Sequence, residues 1–334
     1  MDLNEKHIII SRTDSIGDVI LTLPMAGFLK KKFPDCKITF LGQDYTKDVV
    51  YTSSAVDSFV SLDEMKDSPV QLLESLYADV IIHVFPRKEV AKAAKKAGIP
   101  VRIGTSHRSF HRLTCNKRPN FTRRRSDLHE AQLNFKLLAP LGIVDIPQLN
   151  DIPDLYFFEN IMPLPPDLAG TLATKKKRII LHPGSKGSAR EWGLDRFTEL
   201  ISLLPSEKYH IYLTGSEEEG QSFREELPLE SNNLTDLTGK LSLSHLIAFI
   251  AGSDVLVAAS TGPLHIAAAT GIHAIGIFPP IRPIHPGRWA PLGEKAKVFV
   301  ADKECNECSK TKECACMRGI ESKEVAEYII SVNP

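Results

Sequence analysis

The sequence predicts an α/β protein built as two Rossmann-like domains, their parallel sheets facing across a cleft. Three observations lead there. Apolar runs of strand length alternate with segments of helical period along nearly the whole chain. At 334 residues the chain exceeds one comfortable core. A proline-rich stretch at 146–177, closing on Lys175, Lys176 and Lys177, interrupts the alternation midway. Alternation of this kind means βαβ units, whose strands lie parallel with helices on both faces.

The elements follow from that pattern. In the first half, the apolar runs at 7–11, 37–41, 79–85 and 101–104 read as strands. Helices are expected between and after them at 18–33, 44–53, 70–77, 87–98 and 129–138. In the second half strands are expected at 178–181, 210–214, 255–259, 274–278 and 297–300, with helices at 192–204, 217–227, 243–251 and 264–270. The expected boundaries are a first domain at 1–155, a linker at 156–176 and a second domain at 177–320. A terminal helix within 321–334 is expected to pack back on the first domain.

Composition narrows the function classes. Hydrophobic residues make up 43% and charged residues 25%, as in soluble globular proteins. No apolar run approaches the roughly 20 residues that span a bilayer. The polar residues 1–6 lead directly into a strand, so no signal peptide is expected and the location is expected to be cytoplasmic. Formal net charge is zero, which argues against wholesale nucleic-acid binding. Two nucleotide motifs are absent: no G-x-G-x-x-G marks a nicotinamide enzyme, and no G-x-x-x-x-G-K-[ST] marks a P-loop ATPase. No Asp-x-Asp pair is present to hold a divalent ion on a diphosphate.

The chemistry-bearing residues sit where strands end. Ser260, Thr261 and Gly262 follow an apolar strand, and Pro263 sits at the first turn of the next helix, ahead of His265. A strand–turn–helix of this kind aims backbone N–H groups and a helix dipole at one point, an anion site suited to a diphosphate, or else it is an ordinary β–α turn. Gly17 permits a tight turn after the first strand, and Asp18 opens the first helix. That carboxylate either takes a proton from an acceptor hydroxyl or only complements its helix dipole. His182, Gly184, Ser185 and Ser188 offer small residues and hydroxyls at another strand end. Arg190 and Trp192 lead into the next helix, and Glu217 follows Gly215 and Ser216, where an acid can accept from ribose hydroxyls.

Taken in order, these residues carry a resemblance. The opening SIGDVILTLP, the HPGS…AREW…DRF block, LTGSE, DLTGKLSL, STGPLHIAAATG and the cysteine-rich end closing on Met317 and Arg318 resemble glycosyltransferase family 9, the ADP-heptose:lipopolysaccharide heptosyltransferases. The likeness covers nearly the whole chain and implies the GT-B fold. It implies an inverting, metal-independent transfer of a sugar from a nucleotide diphosphate, here an ADP-sugar. By position, Asp18 matches the family's general base. Arg190 stands where a lysine commonly meets the diphosphate. Thr261, Gly262 and His265 match the phosphate turn, with Ser185 beside them, and Glu217 matches the acid on the ribose. Ser260 departs from the family, where many members have Asp; that leaves the donor sugar less defined than the reaction.

From Arg102 through Ser126 there are eight Lys or Arg and no Asp or Glu. The stretch suits an anionic acceptor, such as lipopolysaccharide inner core, or is a solvated loop. Arg87, Arg102, Arg108, Arg112 and His129 are the expected acceptor-binding residues, on an enzyme peripheral to the inner membrane face. Cys305, Cys308, Cys314 and Cys316, spaced C-x2-C-x5-C-x-C, either hold a structural Zn or Fe or stand as thiols. Two other readings stay open: a nucleotide-sugar epimerase of the same shape, and a catalytically decayed nucleotide-sugar-binding protein.

Overall fold

The structure is a computed structural model that describes residues 1–123, 126–301 and 314–332. The chain divides into two compact units, Met1–Asn160 and Ile161–Pro334, each built on its own parallel sheet. This is the doubly wound GT-B-like fold class that the alternating pattern predicts.

In the first unit, β1 (His7–Ser11), β2 (Lys37–Gly42), β3 (Ser58–Ser61), β4 (Val80–His83) and β5 (Val101–Ile103) run in the order β3-β2-β1-β4-β5. All five residues of β1 are buried, because helices cover both faces of a central strand. This is why Ile8, Ile9 and Ile10 form a continuous apolar run. Ser11 pairs in register with Leu41 on one side and with His83 on the other. The strand order therefore reverses between β1 and β4, and the crevice outside their carboxyl ends is where such a sheet binds ligands.

In the second unit, β6 (Lys177–His182), β7 (Tyr209–Leu213), β8 (Leu234–Asp236), β9 (Val255–Ala259), β10 (His273–Phe278) and β11 (Ala296–Val300) run in the order β11-β10-β9-β6-β7-β8. Here the reversal falls between β6 and β9. The sequence predicts all of these strands except β3 and β8. Those two are edge strands of four and three residues, too short to display a period.

Several helices differ from expectation for definable reasons. The single helix expected at 18–33 is two, Ile16–Ile20 and Leu23–Lys32, because Pro24 lacks the N–H to continue the first. The segment expected as a linker contains a short helix, Pro166–Thr171. The terminal helix is Ser322–Val332. It places Val325, Ala326 and Ile329 in the second unit's core, packed on the helix Leu194–Leu203. Ser322 Oγ donates to the Arg196 carbonyl at 2.9 Å, and Trp192 Nε1 donates to the Ile320 carbonyl at 3.0 Å. No helix among the described residues is long and apolar enough to cross a membrane.

The helix Leu23–Lys32 crosses the segment around Leu155 at very close range. A Cβ added at Gly27 would lie 2.0 Å from the Leu155 carbonyl oxygen and 2.7 Å from the Phe157 ring. Alanine is the better helix former by about 0.5–1 kcal/mol, but overpacking against backbone costs about 1–3 kcal/mol or more. Gly27→Ala should therefore lower the urea midpoint of unfolding. A midpoint equal to wild type or higher would show that the close approach is not a constraint.

Candidate active site

The first unit collects acids around one buried guanidinium. β1 ends at Ser11, and the turn from Arg12 to Ser15 leads into the helix Ile16–Ile20, whose first turn carries Asp18. Arg12 is 3% exposed. Its Nε donates to Asp14 Oδ1 at 2.6 Å, its Nη2 to Asp18 Oδ1, and its Nη1 to Glu130 Oε1 at 3.2 Å. Ser15 Oγ donates to the other Asp18 oxygen at 2.6 Å. Asp18 is thereby fixed at the carboxyl end of β1, at the strand-order reversal, with its side chain 16% exposed. A carboxylate that is held in place and partly open to solvent has the placement that a general base requires.

Burial raises the Asp14 carboxyl to about 6; Arg12 opposes the rise and the Asp18 charge adds to it. Arg87, expected on the acceptor side, joins this turn: its Nε donates to Thr13 Oγ1 at 2.7 Å and its Nη2 to the Thr13 carbonyl at 3.2 Å. Arg123 forms an ion pair with Glu130, and its Nη2 donates to Asn134 Oδ1 at 3.1 Å. Asn134 Nδ2 donates to the Leu21 carbonyl at 3.0 Å and to Thr22 Oγ1 at 3.2 Å, which ties the helix Glu130–Phe135 to the Asp18 segment. Sequence reading misses Arg12, Asp14 and Asn134, and it places Glu130 only beside His129.

The other acceptor-side residues separate into two groups. Arg108 and Arg112 are exposed. Arg102 instead turns onto its own unit, donating to the Thr114 carbonyl at 2.8 Å and to the Ile99 carbonyl. His129 is buried, and its Nδ1 caps its helix by accepting from the Ala131 N–H at 3.2 Å. Arg124 and Arg125 lie outside the described residues.

Behind the site, β4 ends in the buried His83, whose ring lies 5.6 Å from that of His111. Both nitrogens of His83, Nε2 of His111 and Oγ of Ser11 are buried without a hydrogen-bond partner among the described residues. Burial depresses His83 to about 3, with His111 and Arg102 adding to the fall.

The second unit presents donors. The helix Gly262–Ala269 starts directly after β9, with Thr261 at its N-cap and Pro263 in its first turn. The first-turn N–H groups of such a helix have no intrahelical acceptor. Ser260 and Gly262 are partly exposed there, whereas Thr261 and His265 are buried. Thr261 Oγ1 is buried without a partner among the described residues.

After β6 the chain turns through Lys186 and Gly187, at φ +48° and +77°. Ser185 closes this loop: its N–H and its Oγ donate to Glu191 Oε1 at 2.9 and 2.8 Å. Arg190 is half-buried at the loop's end. His182 Nδ1 and Thr214 Oγ1 hydrogen-bond at 3.0 Å, and burial depresses His182 to about 4 although Glu219 opposes the fall. Glu217, expected on a ribose, lies on the surface paired with Arg224 at 2.7 Å. The acid that turns toward the β6 loop is Glu219. It accepts from the Ser216 N–H at 2.8 Å and from the Lys186 N–H at 3.1 Å. Burial would raise Glu219, but those bonds and the nearby His182 outweigh it and hold the carboxyl below its ordinary value.

The expected Zn or Fe site finds no support. Cys305 and Cys308 lie outside the described residues, and Cys314 and Cys316 are buried around the short helix Ala315–Arg318. Among the described residues, no group of three or more His, Cys, Asp and Glu is placed to hold a metal ion.

Two parallel-sheet α/β units, one with a held carboxylate after β1 and one with a helix starting just after β9, fit the glycosyltransferase class. Comparison with known proteins agrees: residues 71–317 match the model of glycosyltransferase family 9 (heptosyltransferase), and the chain belongs to that family. It is 29% identical over 326 residues to lipooligosaccharide heptosyltransferase 2 of Haemophilus influenzae, covering 88% of each chain. Among solved structures, the ADP-heptose lps heptosyltransferase II of E. coli is similar with a TM-score of 0.75 at 17% identity, covering 98% of both chains. E. coli heptosyltransferase WaaC with ADP is similar with a TM-score of 0.72 at 18% identity, covering 97% of this chain and 99% of that one.

The depressed histidines make stability depend on pH. Unfolded His83 takes a proton near its ordinary value of 6.5, the folded residue only near 3. The stability it contributes is therefore full above about pH 6.5 and is lost as pH falls toward 3, about 2 kcal/mol being gone by pH 5. His83→Gln should lose less of its urea midpoint than wild type between pH 7 and pH 5. Equal losses in the two proteins would show that His83 is not the source.

Proposed function

We propose that this enzyme moves a heptose from ADP-heptose onto an inner-core sugar of lipopolysaccharide, inverting the anomeric carbon, with Asp18 as general base. One observation carries the reading: the Asp18 carboxylate is fixed by Arg12 and Ser15 where β1 ends, partly open to solvent. The nucleotide and acceptor are inferred from the relatives, which are described as heptosyltransferases of lipopolysaccharide or lipooligosaccharide and, in one solved structure, as holding ADP.

In this mechanism the second unit holds the donor. The diphosphate meets the N–H groups at Gly262 and Leu264, with Thr261, Ser185, Arg190 and His265 around it, and an acid of the Glu217–Glu219 turn accepts from the ribose. Asp18 takes the proton of the acceptor hydroxyl while that oxygen bonds to the anomeric carbon. The bond to the diphosphate breaks, and the charge that grows on the leaving group is met by preorganised N–H donors and cations. Arg87, Arg108 and Arg112 supply positive charge for an anionic acceptor, whose lipid portion places the enzyme at the inner face of the membrane. Ser260 leaves the donor pocket without one carboxylate, which loosens selection among donor sugars.

Asp18→Asn should lower kcat by about 10²–10⁴-fold, the usual span for a lost general base. The dissociation constant for ADP-heptose, measured by calorimetry, should stay within a few-fold of wild type. Loss of donor binding instead would make Asp18 a structural residue. Within a panel of ADP-, GDP- and UDP-linked sugars, ADP-heptose should give the largest rise in Tm. A rise with UDP- or GDP-sugars alone would reassign the donor.

A further inference from the structure

The turn after β1 carries a second acid for which the mechanism above has no use. Nε and Nη2 of an arginine point along one edge of the guanidinium, where a single carboxylate ordinarily sits with both oxygens. On Arg12 two carboxylates divide that edge, Asp14 taking Nε at 2.6 Å and Asp18 taking Nη2. Their oxygens therefore lie side by side on neighbouring donors. Arg12 meets three carboxylates, those of Asp14, Asp18 and Glu130, and Arg123 pairs with the last of them. Glu130 is 1% exposed and held by both guanidiniums, whereas the side chains of the Asp14–Asp18 pair are partly open to solvent.

We propose that Asp14 is the proton-holding partner of Asp18, keeping Asp18 ionised when the pair carries one proton and receiving the proton that Asp18 removes from the acceptor. The proposal rests on the reading of Asp18 as base. In the transfer step the acceptor O–H bond breaks, its proton goes to Asp18, and its electron pair forms the new glycosidic bond. The bond from the anomeric carbon to the diphosphate breaks, with its pair staying on the phosphate oxygen. The proton then passes from Asp18 to Asp14 and on to water, which the 21% exposed Asp14 side chain meets. Asp18 is thus an anion again before the next acceptor arrives.

Among the described residues, the charged and titratable groups around the pair come from several neighbouring elements. Arg12 comes from the end of β1, and Glu130 from the helix Glu130–Phe135, with Arg123 upon it. Tyr45, in the turn after β2, donates its hydroxyl to the Asp14 carbonyl at 3.0 Å. Arg87, ahead of the helix Lys88–Lys96, reaches Thr13. The raised Asp14 carboxyl agrees with this arrangement, since burial and the Asp18 charge both favour its protonated form.

Two measurements test it. In full-length protein labelled with carbon-13 at Asp carboxyls, a resonance that disappears in Asp14→Asn should titrate well above the ordinary range near pH 4. The acid limb of kcat/KM for the acceptor should move down by about one pH unit in Asp14→Asn, because the remaining carboxylate loses a like-charged neighbour. A merely structural Asp14 would change the rate and leave the limb in place. An unmoved limb, with no Asp14 resonance titrating above pH 5, overturns the pairing while Asp18→Asn remains inactive. Full turnover in Asp18→Asn overturns the base reading instead, and the relay with it, whatever Asp14 titrates.

Discussion

The first unit is organised by the obligation to satisfy the Arg12 guanidinium. A buried cation left unpaired costs several kcal/mol, so its donors need acceptors drawn from wherever the fold can supply them. Asp14 and Asp18 come from the turn and helix after β1; Glu130 and Asn134 come from a helix more than a hundred residues later. Asn134 returns to Leu21 and Thr22, and Thr22 Oγ1 donates to the Asp18 carbonyl at 2.8 Å. The result is a closed circuit in which moving any member strands a buried polar group. Asp18 is thus held both at its side chain and at its own peptide, the preorganisation that proton transfer needs.

Both units obey one topological rule with opposite chemistry. Each sheet reverses strand order at its first strand, which opens a crevice at the carboxyl ends of β1 and β4 and of β6 and β9. In the first unit the loops at that crevice supply carboxylates and an arginine to hold them. In the second they supply helix N–H groups, hydroxyls and small residues. His182 and Glu219 behind the β6 loop hold opposite shifts: the histidine stays neutral, the acid stays ionised. The loop through Ser185 is pinned by Glu191, and Lys186 and Gly187 adopt left-handed backbone to make the turn. The turn is held rigid because its own N–H groups are satisfied by Glu191, Glu219 and the Ser185 hydroxyl.

Central strands were legible because burial on both faces leaves an unbroken apolar run, as in Ile8–Ile10 or Val255–Ala259. The edge strands β3 and β8 have no such run, and only their pairing with β2 and β7 makes them strands. Asp18 and the Ser260–His265 turn were legible because strand end, turn residue and helix start are adjacent in sequence. Glu130 was not, since nothing local tells a buried acid from a solvated one. Among the three consecutive acids at 217–219, sequence reading picks Glu217. In the helix the third acid, Glu219, folds back on the N-cap while Glu217 points outward to Arg224. The terminal helix shows the same limit: its apolar face is plain in sequence, but the surface it meets is not.

Arg12→Lys tests the central constraint most directly. Lysine keeps a positive charge but lacks the planar fork, so it cannot hold Asp14, Asp18 and Glu130 together. Single-turnover transfer from saturating donor should slow by about 100-fold or more, the scale of a displacement near 1 Å at the reacting group, while donor affinity is retained. Transfer at the wild-type rate would contradict the account, because Asp18 would then not depend on the guanidinium for its position.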